Sequence, residues 1–359
     1  MIALLIPATS EGSERFVTRL NRFQSAHPDG ADSFLVSEGQ GTQLYSGANG
    51  LFELSIVDQA DFDADVVLID PKRSTCERLI RADSAHNTFL VTERCDQLCV
   101  MCSQPPKATH VDRFAEFGQA ARLAPQSATI GISGGEPTLY KRDLLHLLET
   151  SLDARPDLDF HILSNGQHFE SSDIERLRSH ALDRVTWGIP LYSHIPEIHD
   201  EIVGKAGAYV RLLESMNHLL RAGEHIELRT VLLAQNIGHL AEMSEFITTH
   251  FGFCDQWSLM QLENIGFARN RFASLYVDHR QHLGQLTRAI DRAELFGLQA
   301  RLFNVARCTV PAPYRRYALA SISDWKRKYA TDCDLCRERS LCSGFFEWHP
   351  DTLLGVSVL

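Results

Sequence analysis

Residues 95–102 read Cys-Asp-Gln-Leu-Cys-Val-Met-Cys, a C-x3-C-x2-C pattern that directly follows an apolar, strand-like run at 89–92. Three cysteines on one short loop can ligate three corners of a [4Fe-4S] cube, which normally takes four thiolates. The fourth iron then keeps a free coordination site. The spacing therefore favours a cluster that binds a further molecule, while structural zinc and three reduced thiols stay open as alternatives.

A second motif, Gly134-Gly-Glu-Pro137, ends a β-branched run that begins at Thr129. The glycine pair lets the backbone approach a ligand closely, and the proline ends the strand and fixes the turn. We expect backbone carbonyls and Glu136 to face an amino group there. Taken alone, these four residues favour an ordinary turn.

Together the two motifs resemble those of the radical S-adenosylmethionine (SAM) superfamily, in which the cysteine loop follows strand one and Gly-Gly-Glu-Pro follows strand two. The resemblance implies that Cys95, Cys99 and Cys102 hold a [4Fe-4S] cluster whose open iron binds the SAM amino and carboxylate groups. It also implies reductive cleavage of SAM to methionine and a 5′-deoxyadenosyl radical, which abstracts a hydrogen atom from a substrate. The residue before the third cysteine is often aromatic in this family and stacks on adenine. Here it is Met101, whose polarizable thioether can also pack on a ring.

Apolar strand-like runs recur along the chain, and each is separated from the next by a helical pattern. They lie at 89–92, 130–132, 160–163, 185–189, 226–233 and 257–262. This series of β/α units predicts an α/β fold with a parallel sheet, a partial (β/α)6 TIM-type barrel over about 86–298. We expect the site at the carboxyl ends of the strands, where both motifs lie.

Polar residues at the same strand ends are candidate SAM contacts. Ser164 and Asn165 end the third predicted strand, Ser193 follows the fourth, and Arg229 lies on the fifth. By resemblance to the family, these groups contact the SAM ribose and carboxylate, and Gly134, Gly135, Glu136 and Pro137 form part of the same site. The alternatives are ordinary turn chemistry and a solvated or paired arginine. The sequence assigns no catalytic acid or base.

The carboxyl-terminal region holds a further group of thiols, in the pattern C-x2-C-x5-C with one more cysteine upstream. These are Cys308, Cys333, Cys336 and Cys342. Four thiolates can close a cluster or bind zinc tetrahedrally, and the spacing does not separate the two. The arrangement resembles the SPASM and twitch extensions of peptide-modifying radical SAM enzymes, which implies an auxiliary [4Fe-4S] cluster. Cys76 and Cys254 remain as small buried apolar residues without an assigned function.

Residues 1–85 contain short apolar stretches at 34–36, 51–57 and 66–69, separated by Gly- and Asp-rich turns. This pattern predicts a small β-rich unit. Its exposed sheet edge could capture a leader peptide by strand addition, or the unit could simply cover the open side of the barrel. The expected domains are thus 1–85, the barrel at 86–298, and an auxiliary-cluster region at 299–359.

The charge balance is acidic, with 46 Asp and Glu against 35 Lys and Arg. A broad basic surface for nucleic acid is therefore not expected. The apolar start at 1–8 is short and lacks a preceding basic region, and no apolar run approaches the length of a membrane span. We expect a cytoplasmic protein that binds neither membrane nor nucleic acid.

A narrower resemblance concerns the substrate. The string at 92–107, TERCDQLCVMCSQPPK, together with the Gly-Gly-Glu-Pro motif and the late cysteines, is similar to the His-Xaa-Ser system radical SAM maturases of the C type. This resemblance implies a peptide or small protein substrate with His-Xaa-Ser repeats, a partner maturase, and an electron donor such as flavodoxin or ferredoxin. A radical SAM enzyme acting on a small molecule, or a cluster-bearing partner without catalytic activity, are the alternatives.

Overall fold

The computed structural model describes residues 4–24, 30–56, 61–179 and 182–359. Two of the stretches considered above extend beyond these ranges. The start of the stretch at 1–8 and the last residue of the stretch at 51–57 lie outside the described residues.

The amino-terminal unit is a closed seven-stranded barrel. Its strands are β1 Leu5–Ser10, β2 Phe16–Asn21, β3 Asp32–Gly39, β4 Thr42–Gly47, β5 Gly50–Ser55, β6 Val66–Asp70 and β7 Thr75–Ile80. The order around the barrel is β1-β5-β4-β3-β2-β6-β7, and antiparallel pairing of β7 with β1 closes it. Alternate side chains such as Phe52 and Leu54 fill the interior, as the period of two along a strand requires. The predicted β-rich unit is confirmed.

Closure of this barrel removes the continuous free edge on which strand addition was expected to depend. One partial edge remains, because β2 pairs with β3 only at residues 32–34, whereas β4 pairs with β3 along residues 33–39. Val36, at 58% exposure, lies on this segment. A β-bulge between Leu35 and Ser37 interrupts the segment, and bulges generally discourage further pairing at an edge.

A seven-stranded parallel sheet follows. Its strands are β8 Asn87–Thr92, β9 Thr129–Gly134, β10 Asp159–Leu163, β11 Val185–Pro190, β12 His225–Leu232, β13 Gln256–Gln261 and β14 Gln299–Phe303. They lie in the order of the chain, so each pairs with its sequence neighbour, and β8 and β14 form the two edges. The predicted α/β architecture with a parallel sheet of barrel type is confirmed.

The sheet is one strand wider than predicted. β14, at Gln299–Phe303, alternates polar and apolar residues, because one of its faces is partly exposed. The strand-like stretch at 302–305 overlaps the end of this strand, but it lies outside the predicted series of β/α units, which ends at 257–262. The residues that open the predicted carboxyl-terminal region therefore belong to the sheet, and the division of the chain into three domains stays a prediction.

The helices connect the strands and cover the outside of the sheet. They are α1 Phe114–Leu123, α2 Lys141–Ala154, α3 Ile174–Leu177, α4 Pro196–Val203, α5 Ala208–Ala222, α6 Leu240–His250, α7 Phe272–Leu275 and α8 Leu283–Leu295. Gly223 ends α5 in the left-handed conformation, with φ of 82°, as a carboxyl-terminal cap glycine does. Among the described residues, none of the helices combines the length and apolar character needed to cross a membrane.

After β14 the chain forms short 3-10 turns and one two-stranded ribbon, β15 Arg327–Lys328 with β16 Phe345–Phe346. This carboxyl-terminal segment reaches the amino-terminal unit. Arg81 Nη1 and Nη2 donate to the two carboxylate oxygens of Asp324 over 3.1 and 3.0 Å. A bidentate ion pair next to the edge strand β8 thus joins the end of the amino-terminal unit to the carboxyl-terminal segment.

Candidate active site at the carboxyl ends of the strands

The cysteine loop, residues 95–102, leaves the carboxyl end of β8 and is held by backbone hydrogen bonds from two other segments. Leu98 N donates to Val203 O, at the end of α4, over 3.1 Å. Phe267 N, in the turn after β13, donates to Cys102 O over 2.8 Å. The loop is therefore fixed on two sides by segments that are more than 100 residues away in sequence.

The two glycines of the Gly-Gly-Glu-Pro motif lie directly against the start of this loop. A Cβ added at Gly134 would come within 2.0 Å of Thr92 O, and one added at Gly135 within 2.1 Å of Arg94 O. No side chain fits in either place. The close approach of these two segments explains why the motif needs two glycines in succession.

Two further glycines allow contact on the other sides of the loop. A Cβ at Gly204 would lie 2.6 Å from Leu98 O, and one at Gly266 would lie 2.2 Å from Cys102 O. Both glycines have positive φ, 66° and 58°. Neither position was identified from the sequence, because nothing in the local pattern shows that the cysteine loop packs there.

The three thiols of the loop are half-buried. Burial raises the pKa of Cys95 to about 11 and that of Cys99 to about 12, and it also raises the pKa of Cys102. Without a bound metal these thiols are protonated at neutral pH. Because metal ligands must be thiolates, binding at this loop would release protons.

Glu136 lies behind the wall of the site and is fully buried. Its Oε1 accepts hydrogen bonds from Thr138 N over 2.9 Å, from the Thr138 hydroxyl, and from Ser164 Oγ over 2.9 Å. Its Oε2 accepts from Asn165 N over 2.5 Å. Burial raises the pKa of Glu136, although these hydrogen bonds oppose the rise. The Glu136 carboxylate thus ties the end of β9 to the end of β10, and contact with an amino group stays a prediction.

Asp96, inside the cysteine loop, is the centre of a charged network. Its Oδ2 lies 2.5 Å from Lys205 Nζ and 3.3 Å from His168 Nε2, and Asn165 Nδ2 donates to its Oδ1 over 2.8 Å. Burial alone would raise the pKa of Asp96, but the contacts with His168, Lys205 and Asn165 hold it well below its usual range. The network links the loop to the segments that follow β10 and α4.

A cavity of about 260 Å³ opens at the carboxyl ends of the strands. Its walls include most of the site residues predicted from sequence, namely Cys95, Cys99, Met101, Cys102, Gly134, Gly135, Ser164, Asn165 and Arg229. Ser193 does not line it. The Ser193 side chain is 1% exposed, and its Oγ accepts a hydrogen bond from Ile195 N over 3.0 Å. Pro137 lies at the start of a 3-10 turn, also away from the cavity wall.

The cavity also has wall residues that were not predicted from sequence, among them Gln97, Tyr192 and Met260. Burial raises the pKa of Tyr192 well above its ordinary value, so its hydroxyl stays protonated. Tyr192 lies two residues past the end of β11, close enough to the strand end that the sequence rule could have selected it. Gln97 lies between two cysteines, at a position whose residue type the C-x3-C-x2-C pattern does not specify.

Arg229 is fixed in the wall by partners along the interior of the sheet. Its Nη1 donates to both carboxylate oxygens of Glu227, over 2.9 and 2.8 Å, and its Nη2 lies 3.2 Å from Met260 Sδ. Glu227 also lies 2.5 Å from His161 Nε2. Burial opposes ionisation of Glu227, but Arg229 and His161 lower its pKa to about 2. The pair holds the guanidinium beside the cavity, and contact of Arg229 with SAM stays a prediction.

The stretch of chain that contains the cysteine loop and the Gly-Gly-Glu-Pro motif is similar to known proteins. Residues 89–247 match the Radical SAM superfamily. They form a radical SAM domain. The chain is 29% identical over 152 residues to GTP 3′,8-cyclase of Nautilia profundicola, which corresponds to 40% of this chain and 46% of that protein.

The fold agrees with this assignment. The crystal structure of Streptococcus suis SuiB bound to S-adenosylmethionine superimposes with a TM-score of 0.51 and 16% identity, over 62% of this chain and 51% of that one. The chain thus spans about half the length of each of these two relatives.

The radical SAM domain implies a [4Fe-4S] cluster and SAM, and the donor set at its cysteine loop fits the cluster. Three thiols of one loop line one cavity, beside the paired glycines. Among the described residues, no group of three or more His, Cys, Asp or Glu is arranged to hold a single metal ion. A cluster binds each thiolate through a different iron, so its ligands need not converge on one point.

The four late cysteines lie together beyond the radical SAM domain. Cys308 follows β14, and the other three lie in and beside the 3-10 turns at 331–335 and 339–341. Burial raises the pKa of Cys333, and the neighbouring Cys308, Cys342 and Cys336 raise it further, so the four sulfurs are within electrostatic reach of one another.

The surroundings of these thiols offer donors to a negative centre. Arg307 N and Gly344 N each lie 3.4 Å from Cys342 Sγ, in donor geometry. Four thiols with such donors are compatible with an auxiliary cluster, in which each thiolate binds a different iron. The auxiliary cluster stays a prediction.

Proposed function

We propose that the chain is a radical SAM enzyme that modifies a peptide. The observation that carries the proposal is the convergence of Cys95, Cys99 and Cys102 with Gly134 and Gly135 on one cavity at the carboxyl ends of a parallel sheet. Such strand ends are where barrel enzymes place their chemistry. When bound, the cluster supplies the electron that cleaves SAM to methionine and a 5′-deoxyadenosyl radical, which takes a hydrogen atom from the substrate.

In this proposal the chain's own residues bind the cluster and orient SAM beside it. The three thiolates hold the cluster, and the backbone at Gly134 and Gly135 allows SAM to approach closely. Met101 packs on the adenine. Arg229, held by Glu227, presents a fixed positive charge to a carboxylate. Tyr192 and Met260 narrow the cavity and limit the access of water to a reactive radical.

The peptide substrate rests on the four late cysteines and on the resemblance to His-Xaa-Ser maturases of the C type. In this proposal Cys308, Cys333, Cys336 and Cys342 hold an auxiliary [4Fe-4S] cluster, a His-Xaa-Ser repeat protein is the substrate, a partner maturase assists, and flavodoxin or ferredoxin supplies electrons. Strand addition of a peptide is restricted to the partial edge of β3 at residues 35–39, which a β-bulge interrupts, so the peptide proposal does not depend on it.

A small-molecule substrate is the second candidate. It is favoured by the similarity of 152 residues to a protein named GTP 3′,8-cyclase. Both candidates require the same cluster loop, so only the substrate separates them.

The test begins with anaerobic reconstitution of the full chain. We expect about eight iron atoms, four for each cube, and about four after the triple substitution Cys95→Ala, Cys99→Ala, Cys102→Ala, which should also abolish SAM cleavage. Cys254→Ala is the matched control, because Cys254 is a buried thiol, 6% exposed, to which no ligand role is assigned. A wild type that binds zinc without sulfide contradicts the proposal.

The substrate is tested by adding SAM, reductant and a His-Xaa-Ser repeat protein labelled with deuterium. We expect deuterium in 5′-deoxyadenosine and a mass change in the repeat protein. Transfer of deuterium from a labelled nucleotide instead selects the small-molecule candidate. Intact clusters without SAM cleavage under any of these conditions would indicate a partner without catalytic activity.

A further inference from the structure

Gln97 is a buried amide placed among the cysteine ligands. Its side chain is 2% exposed, and it belongs to the wall of the cavity that also contains Cys95, Cys99 and Cys102. Gln97 N lies 3.4 Å from Cys95 Sγ in donor geometry. The Gln97 Oε1 atom lies 3.7 Å from Cys99 Sγ, which donates to it as a neutral thiol. One residue thus contacts two of the three sulfurs.

The other end of this amide is unsatisfied. Gln97 Nε2 is buried and has no hydrogen-bond partner among the residues that the structure describes. Buried polar groups without partners are rare in native proteins, and each needs an explanation. Here the unpartnered atom is an N–H donor, and the chemistry of the loop supplies an acceptor when the cysteines ligate iron.

Ligation reverses the hydrogen bond between Cys99 and Gln97. A thiolate has no proton to donate, so the Gln97 oxygen would face a negative sulfur while its N–H group stayed unpaired. Turning the amide by half a rotation exchanges Oε1 and Nε2, which are nearly equal in size. The N–H group then donates to Cys99 Sγ, which removes the contact between Oε1 and a negative sulfur, while Oε1 takes the buried position that has no partner among the described residues.

We propose that the Gln97 side chain donates an N–H···S hydrogen bond to the Cys99 thiolate of the cluster and thereby raises the reduction potential of the cluster. The proposal rests on the cluster of the proposed function. Reduction adds an electron to a centre that is already surrounded by thiolates, and hydrogen bonds to the sulfurs stabilise the more negative state. Gln97 is in this sense a positioning residue, which acts on the cluster through the ligand Cys99.

The test measures the reduction potential of the cluster by redox titration of the full chain, followed by electron paramagnetic resonance. To isolate the signal, all variants carry Cys333→Ala and Cys336→Ala, which disrupt the late thiol group. Gln97→Leu removes the donor at similar size and should lower the potential. Gln97→Glu replaces the donor by a carboxylate and should lower it further. The matched control is Gln104→Leu, because Gln104 lines the same cavity, is exposed, and contacts Cys102 Sγ through its backbone oxygen, which the substitution keeps, so the potential should be unchanged.

A second measurement covers the case in which Gln97→Leu fails to retain a cluster. In the reduced background protein labelled with ¹⁵N at glutamine side chains, pulsed electron paramagnetic resonance should detect a ¹⁵N coupling to the cluster. The coupling should persist in Gln104→Leu. An unchanged potential in Gln97→Leu, or no ¹⁵N coupling in the background protein, overturns the inference and leaves the proposed function intact. A chain that binds no iron–sulfur cluster at all overturns both.

Discussion

At the scale of single residues, the site depends on buried carboxylates that are each held by several hydrogen-bond partners. Glu136 takes four hydrogen bonds from Thr138, Ser164 and Asn165, and Glu227 holds Arg229 beside the cavity. Buried carboxylates are tolerated only with such partners. Each of these residues therefore contributes both to the stability of the fold and to the geometry of the site. The two contributions have to be measured separately.

Glu136→Ala should be strongly destabilising. The substitution leaves the donors of Thr138, Ser164 and Asn165 buried without an acceptor, which should lower the free energy of unfolding by about 2–5 kcal/mol. Urea titration of the chain measures this change. Glu93→Ala is the control, since Glu93 lies on the surface in an ion pair with Lys107 and should change stability by less than about 1 kcal/mol. Equal stability of the two variants would contradict the role assigned to Glu136.

Burial of Glu224 should make the stability of the folded protein depend on pH. Trp187 Nε1 donates to Glu224 Oε2 over 2.6 Å, and burial raises the pKa of Glu224 to about 7. The folded protein therefore keeps this proton to higher pH than the unfolded chain does. The stabilising contribution of the neutral carboxyl is complete below the unfolded pKa, near 4.5, and is lost as pH rises through about 7.

Glu224→Gln should remove this pH dependence, because the amide keeps an oxygen for Trp187 and cannot ionise. At pH 8 the variant should be more stable than the wild type by about 1–3 kcal/mol, and at pH 5 the difference should be much smaller. Thermal unfolding of the variant and the wild type at both pH values measures this difference in stability. Glu175→Gln, at an exposed glutamate, should show the same small effect at both. A variant that is no more stable at pH 8 than at pH 5, relative to wild type, would show that Glu224 ionises normally.

At the scale of elements, the cysteine loop is positioned by close backbone contacts at four glycines. Gly134 and Gly135 lie on the β9 side, Gly204 follows α4, and Gly266 follows β13. Three separate segments thus approach a loop of eight residues. This packing, more than the loop's own sequence, determines where the three thiols lie relative to the strand ends.

Gly204→Ala and Gly207→Ala form a matched pair that isolates one of these contacts. Both glycines have positive φ, 66° and 75°, so alanine is strained by about 1 kcal/mol at each. A Cβ at Gly204 meets Leu98 O at 2.6 Å, whereas a Cβ at Gly207 meets nothing within 4 Å. We expect Gly204→Ala to lose iron from the cysteine loop during anaerobic gel filtration and Gly207→Ala to retain it. Equal iron retention would show that the loop tolerates a shift at Leu98.

At the scale of the whole molecule, the amino-terminal barrel and the carboxyl-terminal segment are joined across the first edge of the sheet. Arg81, 5% exposed, pairs with Asp324 and also with Asp83. The hydrogen bonds and charge of Asp324 raise the pKa of Arg81, although burial opposes the rise. A contact between residues 243 positions apart in the chain holds the segment that carries the late cysteines.

Asp324→Ala should therefore weaken the whole molecule more than Asp83→Ala does. Both residues are partners of Arg81, but Asp83 is 72% exposed and contributes little. Loss of Asp324 leaves a buried guanidinium with one weak partner, and we expect a loss of about 1–3 kcal/mol in the free energy of unfolding. A double-mutant cycle with Arg81→Ala should assign most of that loss to the pair. Independent, additive effects in the cycle would contradict the link.

The sequence by itself determined the chemistry of the site and the order of the strands. Cys95, Cys99 and Cys102 share one loop, so their spacing alone brings the thiols together. The Gly-Gly-Glu-Pro motif is expected to lie next to the cysteine loop, because a parallel sheet places the ends of successive strands side by side. Apolar runs separated by helical patterns fixed the sequence of β/α units. All of these are local signals, readable within a window of about ten residues.

Only the tertiary structure decided which distant segments pair with these strands and pack against the cysteine loop. Closure of the amino-terminal barrel depends on pairing β1 with β7, and the seventh strand of the sheet depends on β13 as its partner. The burial of Gln97 and the packing of Gly204 against Leu98 depend on segments distant in the chain. Sequence spacing carries no record of such long-range contacts, because the free energy that selects them comes from packing in three dimensions.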